Sequence, residues 1–178
     1  LRTRRQRQMC IRDSDSTDAT RLDSEHLNLV SLFQFLIANT DWSATHGGTE
    51  ECCHNGKLFG EPKDSDYLYI PYDFDMSGLV NPEYGATDAA LKLDSIQERR
   101  YRGYCRNNPF LNKNIDKFNA QKENIIALFQ SSPHLSKTAK RRRINYIEKF
   151  YGIVNNPKRI ERKIMGWCHE SQLITRNP

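Results

Sequence analysis

The stretch "YLYIPYDFDMSG", residues 67–78, decides the fold. Its first four residues are β-formers, and Pro71 closes the run because it has no N–H to give a central ladder. Ten residues earlier "KLF" (57–59) makes a second short apolar piece, and the turn-rich "EPKDSD" (61–66) lies between them. The pattern predicts a β-hairpin with strands at 57–59 and 67–70. Asp73 and Asp75 then fall just past a strand end, as a carboxylate pair suited to holding something positively charged.

Upstream, "SEHLNLVSLFQFLIA" follows the N-cap candidates Asp23 and Ser24. Leu27, Leu29, Val30, Leu32, Phe33, Leu36 and Ile37 cover most of a helix circumference, which predicts a helix buried on nearly all sides. It should stop at "NTDWS" (39–43), residue types that favour loops and caps. The polar "ATHGGTEECCHN" (44–55) reads as a loop. Downstream, helices are expected at about 94–105, 114–130, 137–150 and 157–168. The fold class expected is α+β, mainly α: a buried helix, a loop, a hairpin, an acidic turn and a helical bundle.

Residues 1–14 are set aside. "RRQRQMCIRDS" (4–14) matches, codon by codon, a transposase sequencing adapter read in frame, and such scars do not belong in fold reasoning. A native N-terminal part is therefore expected to precede residue 15. The exclusion changes the charge argument. The chain has 27 Lys+Arg and 22 Asp+Glu, but residues 1–14 hold five Arg and one Asp, so 22 bases face 21 acids in the rest. A net of +1 gives no support to nucleic-acid binding. Residues 15–90 carry 14 acids and 3 bases; residues 91–178 carry 19 bases and 7 acids. That polarity suits a metal and a polyanion, or two halves that attract one another. The basic runs "KTAKRRR" (137–143) and "PKRIERK" (157–163) read as solvated faces of amphipathic helices. One of Arg99, Arg100 and Arg102 is a candidate partner for an acid near the site.

No run of eighteen apolar residues exists, so no membrane span or membrane partner is expected. Cys52, Cys53, Cys105 and Cys168 show no CxxC spacing, which points to a reducing, cytoplasmic setting. Zinc at His46, Cys52, Cys53 and His54 is disfavoured, because neighbours in sequence cannot easily surround a tetrahedral ion. A Cys–His nucleophile at 53–54 or 168–169 is disfavoured on similar grounds.

A phosphoryl-transfer site needs a carboxylate beside the attacking hydroxyl and oxygen ligands for a cation on the nucleotide phosphates. In protein kinases these come from a loop after a buried helix, then a hairpin, then an Asp-Phe-Gly turn. The same order appears here as Asp41 in "NTDWS", Asn55 in "CHNGKL", the hairpin, and Asp73 in "YDFDMSG". The chain resembles atypical kinases of the HipA and CotH type, and more closely a bacterial family with "NTDWS…HN" followed by "PYDFD.SGLVN". The likeness runs over about residues 24–103 and is strongest at 35–43 and 70–81. It implies a kinase-like C-terminal lobe and an ATP-dependent phosphotransferase using Mg²⁺ or Mn²⁺. Asp41 would be the catalytic acid, Asn55 and Asp73 would bind the metal–nucleotide, and Asp75 would be a further metal ligand.

The pattern departs from the ordinary kinase loop in three places. Asp41 and Asn55 lie fourteen positions apart, against about five in that loop. Trp42 stands where related proteins often have Arg; its own chemistry favours packing over substrate stacking. No Gly-rich loop or strand lysine precedes, so the fragment alone is expected not to catalyse. The acceptor, whether protein, sugar or small molecule, stays open. Competing readings are a phosphatase-type or nucleotide-sugar-transferase DxD at Asp73–Asp75, and a pseudokinase or binding module that keeps the fold.

Overall fold

The computed structural model describes residues 17–47, 52–60 and 66–170. It contains helix α1 (Ser24–Ile37), strands β1 (Gly56–Phe59) and β2 (Leu68–Pro71), and helices α2 (Leu111–Ala120), α3 (Lys122–Ser131), α4 (Lys137–Val154) and α5 (Pro157–Lys163). The class is α+β, mainly helical, with one small antiparallel sheet among the described residues. Residues 1–14, read above as adapter-derived, lie outside the described residues, as do 48–51 of the polar loop and 61–65 of the hairpin turn.

α1 starts as its sequence dictates. Asp23 caps it by accepting from the His26 N–H at 2.6 Å, satisfying a backbone donor that has no partner inside the helix. The helix is buried around most of its circumference because it serves two cores. Leu27 and Val30 join Leu22, Trp42, Ala44, Leu58, Tyr67 and Tyr69. Leu32, Phe35, Leu36 and Ile37 join Tyr101, Leu111, Ile115, Ile147, Phe150, Tyr151, Val154 and Ile164.

The hairpin pairs Gly56 with Pro71 and Leu58 with Tyr69. Period-two alternation turns Leu58 and Tyr69 into the core and leaves Lys57, Leu68 and Ile70 exposed. A Cβ at Gly56 would overlap the Tyr69 ring, so close approach rather than turn geometry requires glycine there. Pro71 ends β2, as its chemistry requires.

Three helix expectations need correction. Residues 94–105 form no α-helix: the backbone is irregular, which lets Arg99 and Arg102 reach carbonyls some sixty residues away in sequence. The stretch 114–130 is two helices, broken at Gln121 between α2 and α3. The last helix ends at Lys163, and a 3-10 turn covers Met165–Trp167.

The four cysteines among the described residues are paired. Cys105 and Cys168, with Cα atoms 4.9 Å apart, are joined by a disulfide beside a parallel bridge between Tyr104 and His169. Cys52 and Cys53 are joined to each other. The cysteine spacing did not signal the Cys105–Cys168 pairing, which joins residues far apart in sequence. No described helix is long and apolar enough to cross a membrane.

Candidate functional site

The site is built on the end of α1. A helix leaves its last carbonyls without partners inside the helix, and here every one from Gln34 to Ala38 finds a donor. Ala38, left-handed at φ 50°, returns its N–H to Gln34 and Phe35, and Asn39 N donates to Gln34 O at 2.9 Å. Arg99 donates to Leu36 O at 3.1 Å. Leu79 N reaches Ile37 O at 2.9 Å and Gly78 N reaches Ala38 O at 3.0 Å. The segment that follows the acidic pair is thereby laid against the helix end. Gly78 is needed for that approach, since a Cβ would collide with the Ile96 carbonyl.

The next carbonyls belong to Arg102, whose Nη1 donates to Thr40 O and, at 3.0 Å, to Trp42 O. Burial of this guanidinium lowers its pKa, with Asp88 the first of the groups that oppose the shift. Trp42 is core, 3% exposed, and its ring lies 5.8 Å from that of Tyr69. Packing is its role, as expected.

Asp41 and Asn55 meet. Asn55 Nδ2 donates to Asp41 O at 2.7 Å and to Asp41 Oδ2 at 3.0 Å. The fourteen-residue spacing is absorbed by an antiparallel bridge between Ser43 and His54, with both hydrogen bonds at 3.1 Å. His54 Nε2 lies 2.7 Å from Asp41 Oδ1 and donates to it when the carboxylate is ionised. Tyr69 OH fixes the His54 backbone by donating to its carbonyl at 2.8 Å, and burial holds that phenol well above its ordinary pKa.

Asp73 joins through backbone. Buried Asn39 donates from Nδ2 to Asp73 O at 3.2 Å and accepts from Asp41 N at 2.9 Å, so one side chain links the two aspartates. Tyr72 N donates to Asn55 O at 3.2 Å. Asp75 N donates to Asp73 Oδ1 at 3.3 Å, and Tyr84 OH donates to Asp75 Oδ2 at 3.1 Å. That last bond is the main reason the Tyr84 pKa is raised. Sequence reasoning missed Asn39, His54 as partner of Asp41, Tyr84 and the carbonyl-binding role of Arg102. The Asn-x-Asp turn at 39–41 was a readable signal; the other three were not.

The side-chain acceptors of Asp73, Asp75 and Asn55 are oxygens, and in the described residues they are linked only through backbone and Asp41 contacts. Among the described residues no group of three or more His, Cys, Asp and Glu side chains is placed to hold a metal. Two carboxylates with an amide oxygen suit Mg²⁺, which takes one or two carboxylates and completes its shell with phosphate and water. No family model, curated protein or solved structure matches this chain.

Proposed function

We propose that this chain carries the acceptor and metal side of a kinase-like phosphotransferase that uses a nucleoside triphosphate. The observation that supports it is the pair of hydrogen bonds from Asn55 to Asp41 at 2.7 and 3.0 Å, next to the strand end that bears Asp73. The two residues assigned to acceptor and metal by resemblance are distant in sequence and adjacent in space. Asp73 and Asp75, with Asn55 Oδ1, would hold Mg²⁺. When bound, the ion neutralises charge on the phosphate oxygens.

The chain's own groups account for the proton. The acceptor oxygen bonds to the γ-phosphorus as the bond to the β,γ-bridging oxygen breaks, and the nucleoside diphosphate leaves with that electron pair. The hydroxyl proton passes to the Asp41 carboxylate. His54 and Asn55 hold that carboxylate, and Asn39 fixes its distance from Asp73. Calorimetric titration of Mg²⁺–ATP and Mn²⁺–ATP into the folded chain, beside Asp73→Asn, tests the reading. Metal-dependent heat that the variant loses supports it; no heat with either metal overturns it.

A second reading has its own observation. Both Asp41 oxygens are already engaged, one by His54 and one by Asn55. A binding module that keeps the fold would tolerate this. It predicts nucleotide binding of full strength in Asp41→Asn.

A further inference from the structure

The basic run of α4 divides by helical periodicity. Ile147, Phe150, Tyr151 and Val154 are buried in the core. Arg142, Tyr146 and Lys149, at i, i+4 and i+7, share another face. With Arg143, that face forms one wall of a cleft of about 470 Å³, whose opposite wall includes Asn81 and Gln97. The walls are fastened together: Arg143 Nη2 donates to Val80 O at 2.9 Å, and Tyr146 OH donates to Gln97 O at 2.8 Å.

Among the described residues no carboxylate lines this cleft, and Arg142, Arg143 and Lys149 form no salt bridge. The neighbouring Glu148 is taken by Lys122. Beneath the wall, the Arg99 guanidinium stacks on the Tyr146 ring at 3.8 Å and donates to the Leu36 and Tyr146 carbonyls, with no acid partner among the described residues. Three cations at a cleft and a fourth behind it concentrate positive potential where low-dielectric walls focus it. Amide and phenol groups beside them can orient a ligand.

We propose that the cleft between α4 and the segments at Asn81 and Gln97 binds a phosphorylated small molecule carrying two or more anionic phosphate groups. Arginine forks match phosphate oxygens, and a concave, polar site favours a compact anion over a nucleic-acid backbone, which is tracked by an open stripe. The site does not depend on a metal or on the proposed phosphotransfer.

Inorganic pyrophosphate, titrated by NMR into the whole chain with EDTA present, is the probe. Two variants each remove two exposed cations of α4: Arg142→Ser/Lys149→Ser inside the cleft and Lys137→Ser/Arg141→Ser outside it. The first should weaken binding by about tenfold or more and the second by less than about twofold, as for independent sites. Equal losses in both variants would overturn the proposal in favour of diffuse charge. So would an absence of pyrophosphate shifts around Tyr146, or a single-stranded oligonucleotide that binds more tightly than pyrophosphate through Lys137 and Arg141.

Discussion

α1 joins two regions held together by different forces. Toward its C-terminal half, Leu32, Phe35, Leu36 and Ile37 meet apolar side chains of α2 and α4, with Phe150 touching Phe35, Phe118 and Tyr151 through edge-to-face ring contacts. Around the smaller core that Leu27 and Val30 enter, and in the turns that leave the helix's C-terminal end, side chains satisfy backbone: Asn39, Asn55 and Arg102 hold loop carbonyls, and Arg99 holds the helix's own Leu36 carbonyl. Apolar packing tolerates many residue choices provided volume is kept. A carbonyl held by one guanidinium tolerates almost none. The helical side therefore governs how stable the chain is, and the loop side governs where Asp41 and Asp73 stand.

The largest expected effect tests the helical side. Phe150→Ala, at a fully buried position, should cost about 3–5 kcal/mol by urea denaturation. A cost below about 1 kcal/mol would mean that the helical core collapses around the cavity and that packing is not its main support. Next is the seam. Tyr104 packs on the hairpin-side core and Cys168 on the helical one, and the Cys105–Cys168 disulfide joins them across 63 residues. Replacing both cysteines by alanine should cost about 2–4 kcal/mol, and equal midpoints for this variant and the parent under oxidising conditions would show that the seam needs no crosslink.

Arg102→Met comes third, at about 1–3 kcal/mol, because two part-buried carbonyls lose their donor. Its particular sign is at the site. The His54 imidazole resonances, which report the Asp41 contact, should move in Arg102→Met and stay in place in Ile147→Val on the helical side. Unmoved His54 signals in a destabilised Arg102→Met would break the division of labour described above.

Much of this was legible in the sequence, for reasons that differ residue by residue. α1 declared itself through the Asp23 cap and an apolar run, and the hairpin through two β-rich pieces around a turn. Both signals are local. The segment 94–105 was misread because arginines and tyrosines carry helix and loop equally well; what decides it is the pull of distant carbonyls on Arg99 and Arg102. The break at Gln121 has no marking residue, neither Gly nor Pro. Asp41, Asn55 and Asp73 were proposed from their order along the chain; the Asp41–Asn55 contact depends on the Ser43–His54 bridge, and the link to the Asp73 backbone on Asn39. Both are pairings across loops, where sequence period gives no register.

The smallest effect separates polar joints by their exposure. Glu25, in the first turn of α1, receives Lys113 Nζ and Lys117 Nζ from α2, each at 2.7 Å. These hydrogen bonds, Lys113 first, hold its carboxyl below the ordinary glutamate range. The unfolded chain then binds more protons than the folded one as acid is added, so the contribution is complete above the unfolded value of about 4.3 and is lost as pH falls through the lower folded value. The denaturation midpoints of Glu25→Gln and the parent should differ slightly near neutral pH and converge in acid. About 1 M salt should narrow the neutral-pH gap, because the pair is exposed and screened. The Arg102→Met cost should barely respond to the same salt, since its partners are neutral carbonyls largely out of water. If both variants answered salt alike, the loop side would be held by surface charge, and the position of Asp41 would depend on ionic strength.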